Sequence, residues 1–363
     1  MSAGDYQSDQ ADDWYADVIA TPGSDAAPNR PGPRVTTFSD ALESLMSDLE
    51  CGEPPVEWTP DDKPWASLAV RSGDIHVIGG PPAVGKTSLA LNLFDRMLAR
   101  YPDLRILIAS NEMTTATMNE RLISMRSGIA YQAIRRRDES AYTAADLERV
   151  KAEVAAVSSR LGFVERPFTI EQVHDAAVDF NADIVFVDYL QATGMAERSR
   201  DAQQRVAATM RALRALADTG PCVIATAALS RTGIARAQGR VGKTDANALD
   251  MGVFLHASEI EHEANVGHLL LAEPGAKVAM GPGEEDEPVR MWLQCVKARD
   301  SAKTITPLLF DGRIQKFTVR DVDAPPAKRT APSRTKPEAK PKNRSAGKSG
   351  GSGVLKDGET RWL

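Results

Sequence analysis

Ile78-Gly79-Gly80-Pro81-Pro82-Ala83-Val84-Gly85-Lys86-Thr87-Ser88 carries G-x-x-x-x-G-K-T from Gly80 to Thr87. An apolar run at 75–78 leads in, and Leu89, Leu93 and Met97 lead out at helical spacing. Strand, glycine-rich loop and helix in that order are what a phosphate-binding P-loop requires. Loop N–H groups and the positive end of the helix cradle phosphates, so all of residues 80–88 are candidate nucleotide contacts. Lys86 would place a point charge at the β- and γ-phosphates, and the Thr87 hydroxyl would ligate Mg²⁺. A Gly/Pro turn that binds nothing is the bland alternative, and it leaves the Gly-Lys-Thr unexplained.

Outward from this loop, strands and helices alternate. Apolar strands are expected at 105–110, 183–188 and 222–226, with helices between them, the longest at 144–161 and 205–219. Three further strands are expected at 268–272, 289–297 and 305–310, and 314–319 closes a hairpin over Asp311-Gly312. Such alternation with buried apolar strands gives an α/β fold, a mainly parallel sheet flanked by helices with an antiparallel extension at its end. Ligands then gather at the carboxyl ends of strands, where the P-loop, Glu112 and Asp188 all fall. Asp188, after four apolar strand residues, suits a Mg²⁺-positioning carboxylate, and Glu112 suits a general base for an attacking water. A surface Glu ahead of a helix is the plainer reading of Glu112.

Composition sets the surroundings. The chain has 363 residues, 42% of them hydrophobic, and a net charge of −6. That balance hides an acidic start, with three Lys/Arg against fourteen Asp/Glu in residues 1–63, and a basic end, with ten against five in 321–363. Residues 1–34 and 321–363 lack a buriable face and read as disordered tails, the second of low complexity. Residues 35–50 read as an amphipathic helix, with Phe38, Leu42, Leu45, Met46 and Leu49 on one face and Thr37 or Ser39 as cap. That face packs on its own domain by default, or on a neighbouring subunit. Cys51, Cys222 and Cys295 fit neither a disulfide framework nor a metal site, so a reduced cytoplasmic setting is expected.

Several motifs, in order, resemble the ATPase domain of DnaB-type replicative helicases. They are Ser110-Asn111-Glu112-Met113, Asp188-Tyr189-Leu190-Gln191, Leu229-Ser230-Arg231, Lys297-Ala298-Arg299 and Leu309-Phe310-Asp311-Gly312. The resemblance covers residues 70–318 or so and implies a RecA-like fold, ATP and Mg²⁺ as cofactors, and Gln191 as a nucleotide-site residue. It implies a ring, usually a hexamer, in a bacterium or its phage or plasmid. Lys297 and Arg299 would reach the γ-phosphate held by the next subunit, Arg299 as the arginine finger. Single-stranded DNA would run through the ring on loops at 192–203 and 233–251, whose cations are Arg198, Arg200, Arg236, Arg240 and Lys243. Movement would run 5′ to 3′, with a primase or loader as partner. The helix at 35–50, with residues to 69 as connection, matches the family's linker helix.

Three departures accompany the resemblance. Ala228 stands where the family usually has a glutamine that senses the γ-phosphate. Asn265 stands where Asp often follows Glu-x-Ala, and the family's N-terminal domain has no counterpart in the first sixty or so residues. A RecA-like ATPase that uses ATP as a switch without unwinding is therefore the competing expectation. A small-metabolite kinase would explain the P-loop but not Asp188-Tyr189-Leu190-Gln191 or the cationic loops.

Overall fold

The computed structural model describes residues 37–52, 56–60, 65–192, 201–240, 249–274, 287–299 and 302–320. All of them belong to one compact unit within Met1–Arg320. The expected tails at 1–34 and 321–363 lie outside the described residues. Helix α1 (Phe38–Cys51) comes first, followed by the short strands β1 (Glu57–Trp58) and β2 (Val70–Arg71), which pair with each other. The alternating core then runs β3 (Ile75–Gly79), α2 (Lys86–Arg100), β4 (Ile106–Ser110), α3 (Thr115–Ser127), α4 (Tyr131–Arg136), α5 (Ala144–Ala155), β5 (Leu161–Val164), α6 (Ile170–Phe180) and β6 (Ile184–Asp188). It continues with α7 (Ala202–Ala217), β7 (Cys222–Ala227), α8 (Arg231–Gln238), α9 (Ala257–Glu263), β8 (Val266–Ala272), β9 (Val289–Ala298), β10 (Ile305–Asp311) and β11 (Lys316–Val319).

Nine strands form one sheet in the order β11-β10-β9-β8-β3-β7-β6-β4-β5, with β3 at its centre. From β8 to β5 every pair is parallel, and β9, β10 and β11 add as antiparallel neighbours. The mainly parallel sheet with an antiparallel extension is thus as expected. Its strands read as apolar runs because both faces are covered. On one face Ile78, Ile108, Phe186 and Ile224 meet Leu89, Leu93, Phe94 and Met97 of α2. On the other, Val77, Ala109, Val187 and Ala225 meet Val173 of α6 and Met210 and Leu213 of α7.

Three stretches differ from expectation, and in one of them, the loop expected at 233–251, residues 233–238 with Arg236 belong to helix α8. The helix expected at 144–161 ends at Ala155, and Leu161–Val164 joins the sheet as edge strand β5. Arg160 explains the break: its guanidinium donates to Leu98 O and Tyr101 O at the end of α2, and its carbonyl accepts from Ile106 N. Within residues 52–69, expected as plain connection, Trp58 and Trp65 are buried against the core. The helix starts follow ordinary capping chemistry. Thr37, Thr114, Thr143 and Thr169 each accept from a backbone N–H in the first turn, the last two in full capping boxes. No helix among the described residues is long and apolar enough to cross a membrane.

Candidate active site

The carboxyl ends of β3, β4, β6 and β7 meet at one edge of the sheet, and each brings one polar group. The loop after β3 turns through Ala83 (φ 58°) and Gly85 (φ 95°) into α2. Gly85 has no side chain to strain at that φ. Gly80 has a different reason: a Cβ there would stand 2.8 Å from Leu270 O. Unlike the threonine-capped helices, α2 has no side-chain cap, so its first-turn N–H groups stay available to an anion. The Lys86 ammonium donates to Gly80 O (3.0 Å) and Pro81 O (3.1 Å), folded over the loop it would serve. Burial pulls its pKa below the ordinary lysine value, against the opposing charges of Asp188 and Glu112.

Asp188 is the hub. It is 1% exposed at the end of β6. One carboxylate oxygen accepts from Thr87 Oγ1 at 2.9 Å and Ser110 Oγ at 3.4 Å; the other accepts from Thr226 Oγ1. Among the described residues no cation bonds directly to Asp188; a buried carboxylate so placed is costly, and three hydroxyls from three elements offset that cost. Thr226 and Ser110 were given no role from the sequence. The signal was there: each is a hydroxyl residue at or next to the end of an apolar strand, in register with Asp188. A hydroxyl beside a buried carboxylate, next to an uncapped helix start, is a hard-oxygen donor set that suits Mg²⁺ and a triphosphate.

Glu112 stands at the mouth, exposed, two residues past the end of β4. Partial burial and then the Asp188 charge raise its pKa above the ordinary 4.5, while Lys86 and Arg121 pull it down. Ser88 turns away from the others. Its hydroxyl donates to Gln315 Oε1 (2.7 Å) and accepts from Arg121 Nη1 (3.0 Å), facing the β10–β11 turn. Successive helix residues point about 100° apart, so Thr87 and Ser88 cannot both face the metal position. Gln191 accepts from the Ala228 N–H at 3.2 Å.

Lys297 and Arg299 lie elsewhere. Their side chains donate to the carbonyls of Glu261 and His262 at the end of α9. Ala298 pairs with Val266, which pairs with His76 near the start of β3. They therefore sit at the opposite sheet edge from the P-loop of the same chain, roughly 10–15 Å along the strands. Arg236 forks onto Asp250 (3.0 and 3.2 Å), which depresses the Asp250 pKa and offsets the arginine's charge locally. Arg240 is exposed just past α8. Arg198, Arg200 and Lys243 lie outside the described residues.

A central P-loop strand, a buried acidic residue two strands away and an antiparallel extension define a RecA-like P-loop ATPase domain. The chain belongs to the DnaB-like helicase C terminal domain family, whose model matches residues 67–319. It is 29% identical over 177 residues to the replicative DNA helicase DnaB of Rickettsia bellii, which covers 44% of this chain and 35% of that protein. A probable plasmid replicative DNA helicase of Chlamydia psittaci is 24% identical over 154 residues, 42% of this chain and 33% of that one. The matched stretch thus spans about a third of these relatives. Among solved structures, a DnaB-like replicative helicase studied with primase superposes with a TM-score of 0.61 at 17% identity, over 78% of this chain and 67% of that chain. A structure described as an ATPase domain gives 0.62 at 18% identity, over 79% and 100%.

Proposed function

We propose that this chain is the motor of a ring-forming replicative DNA helicase. It hydrolyses ATP, moves 5′ to 3′ on single-stranded DNA and separates the duplex ahead. The observation that carries this reading is the buried Asp188 bonded to Thr87, beside an uncapped α2 and with Glu112 at the mouth.

The chain's own groups divide the work. The amides of the loop and of α2 bind the β- and γ-phosphates, and Lys86 moves from Gly80 O and Pro81 O onto them. Mg²⁺, held by Thr87 and through water by Asp188, would neutralise charge at those phosphates when bound. Glu112 orients a water and accepts its proton; its raised pKa brings it nearer to working pH. Arg299, with Lys297, acts on the γ-phosphate of the adjacent subunit, a role consistent with its distance from the P-loop of its own chain. A ring also gives the apolar face of α1 somewhere to go. Phe38, Leu45 and Leu49 are 81%, 52% and 65% exposed, and a lone helix of this length is marginal in water. DNA contacts fall to Arg240, Arg198, Arg200 and Lys243, and to Arg236 once it parts from Asp250. A primase or a loader is the expected protein partner.

The test is ATP hydrolysis with and without single-stranded DNA, using Lys86→Ala as the blank, followed by a forked-duplex assay. Stimulation by DNA and strand separation, both absent in the blank, are expected. Hydrolysis indifferent to DNA would sink the helicase reading. A second reading, an ATP switch that binds DNA without unwinding, is favoured by Ala228; it predicts hydrolysis indifferent to DNA and no strand separation.

A further inference from the structure

Gln191 occupies an odd position at the active-site edge. Its Oε1 accepts from the backbone N–H of Ala228 at 3.2 Å. Its Nε2 is buried and has no hydrogen-bond partner among the described residues. An amide offers two donors, and a donor sealed from water without an acceptor costs about as much as a lost hydrogen bond. Local strain does not account for the arrangement, because the acceptor half is well placed. The bond to Ala228 also sets the amide's orientation: with oxygen accepting, the N–H₂ end is the one left over.

Position says what that end is for. Gly79, the last residue of β3, pairs with Ala227, the last residue of β7. Ala228 is thus level with Gly80, the first glycine of the P-loop, one strand spacing of roughly 5 Å away. On the other side Gln191 follows Asp188 by three residues, and Asp188 holds Thr87. The amide therefore bridges the ends of β6 and β7 beside the loop that would hold the phosphates. Anionic oxygens are the acceptors such a place receives. Chain connectivity adds a consequence: the candidate DNA loop at 192–203 begins at the residue after Gln191, and that at 233–251 begins five residues after Ala228. A group that ties these two strand ends stands at the base of both candidate DNA loops.

We propose that Gln191 is the triphosphate-sensing residue of this chain, its Nε2–H donating to the terminal phosphate while its Oε1 stays on Ala228. The amide three residues past β6 thereby does the sensing beside Ala228, which follows β7 directly and carries no side-chain amide. This inference rests on the reading of the edge as a nucleoside triphosphate site, and it goes further in naming which phosphate is read and by which atom.

The test compares binding of a non-hydrolysable ATP analogue with binding of ADP, in the full chain, by fluorescence titration with Mg²⁺ present. Gln191→Glu keeps the acceptor for Ala228 and removes the donor; Gln191→Leu removes both without adding charge. The ratio of triphosphate to diphosphate affinity should fall about tenfold in each variant, the loss of one hydrogen bond to a charged group, with ADP affinity within twofold of wild type. An unchanged ratio would overturn the proposal, as would an equal loss for both nucleotides, which marks a purely structural fastening of β6 to β7. Thermal melting of both variants identifies a misfolded one; because Gln191→Glu also brings a negative charge, Gln191→Leu decides wherever it folds, and Gln191→Met takes its place where it does not. Neither readout involves DNA. A wild type whose hydrolysis ignores DNA defeats the helicase reading and leaves this inference standing, whereas a wild type that binds neither nucleotide defeats both.

Discussion

Asp188 holds together groups from three elements, so its replacement separates chemistry from folding. Asp188→Asn keeps one acceptor and size but loses charge. We expect hydrolysis to fall at least about a hundredfold, the scale of losing a positioned electrostatic group, with little change in melting temperature. Steady-state ATPase and a thermal melt on the same preparation check it; a variant that hydrolyses normally would remove Asp188 from the machinery. A different pair of residues governs acid stability. His76 and His268 are buried in neighbouring strands with ring centroids 6.5 Å apart. Burial, for His76 with help from the nearby His268 and Arg71 charges, lowers them from 6.5 to about 3 and about 4. The folded protein keeps both neutral where the unfolded chain protonates them. Their contribution is therefore intact above pH 6.5 and is lost as pH falls from 6.5 towards 4 and 3. Urea unfolding at pH 7.5 and 5 should differ by on the order of a few kcal/mol, and His268→Phe should roughly halve the difference.

At the scale of elements, the turn between β10 and β11 supports the P-loop helix. The Asn92 amide donates to Ser88 O (2.7 Å) and Gln315 O (2.9 Å) and accepts from Phe317 N (3.0 Å), all buried. Phe317 stacks on Phe310 at 4.3 Å, and a Cβ on Gly85 would come within 3.3 Å of the Phe317 ring. Asn92→Ala removes all three bonds and strands the buried Phe317 N–H, and a loss of about 3 kcal/mol in urea unfolding is expected. This contact explains what in the site was hard to read. Ser88 was expected at the phosphates because it extends Gly-Lys-Thr, yet only the long-range meeting with Gln315 decides which helix face it serves. Five of the six parallel strands were legible as continuous apolar runs, β4 and β6 ending on Ser110 and Asp188. Edge strand β5 was not: four half-buried residues containing Gly162 follow a helical pattern, and only pairing with β4 and the Arg160 anchor reveal them.

The largest scale turns on two features that a single chain leaves open: the exposed apolar face of α1, and a basic pair stationed at the far sheet edge from its own P-loop. Inside one chain the first is left uncovered and the second only caps the end of α9, and both acquire a further use if each site is completed by a neighbour. Full burial of a large apolar side chain is worth about 1.5–3 kcal/mol, so covering Leu42, Leu45 and Leu49 would favour assembly appreciably. Leu45→Glu should shift native mass towards the monomer and lower hydrolysis with it, read by light scattering and ATPase together. The stricter test uses two defects. Lys86→Ala disables the phosphate site of its own subunit, and Arg299→Ala disables the contribution to the next. If the finger acts in trans, mixed rings contain interfaces pairing an intact Lys86 with an intact Arg299, and a one-to-one mixture recovers hydrolysis that neither variant has alone. If Arg299 serves its own subunit, every intact P-loop in the mixture still belongs to a chain without the arginine, and activity stays at the level of the separate variants.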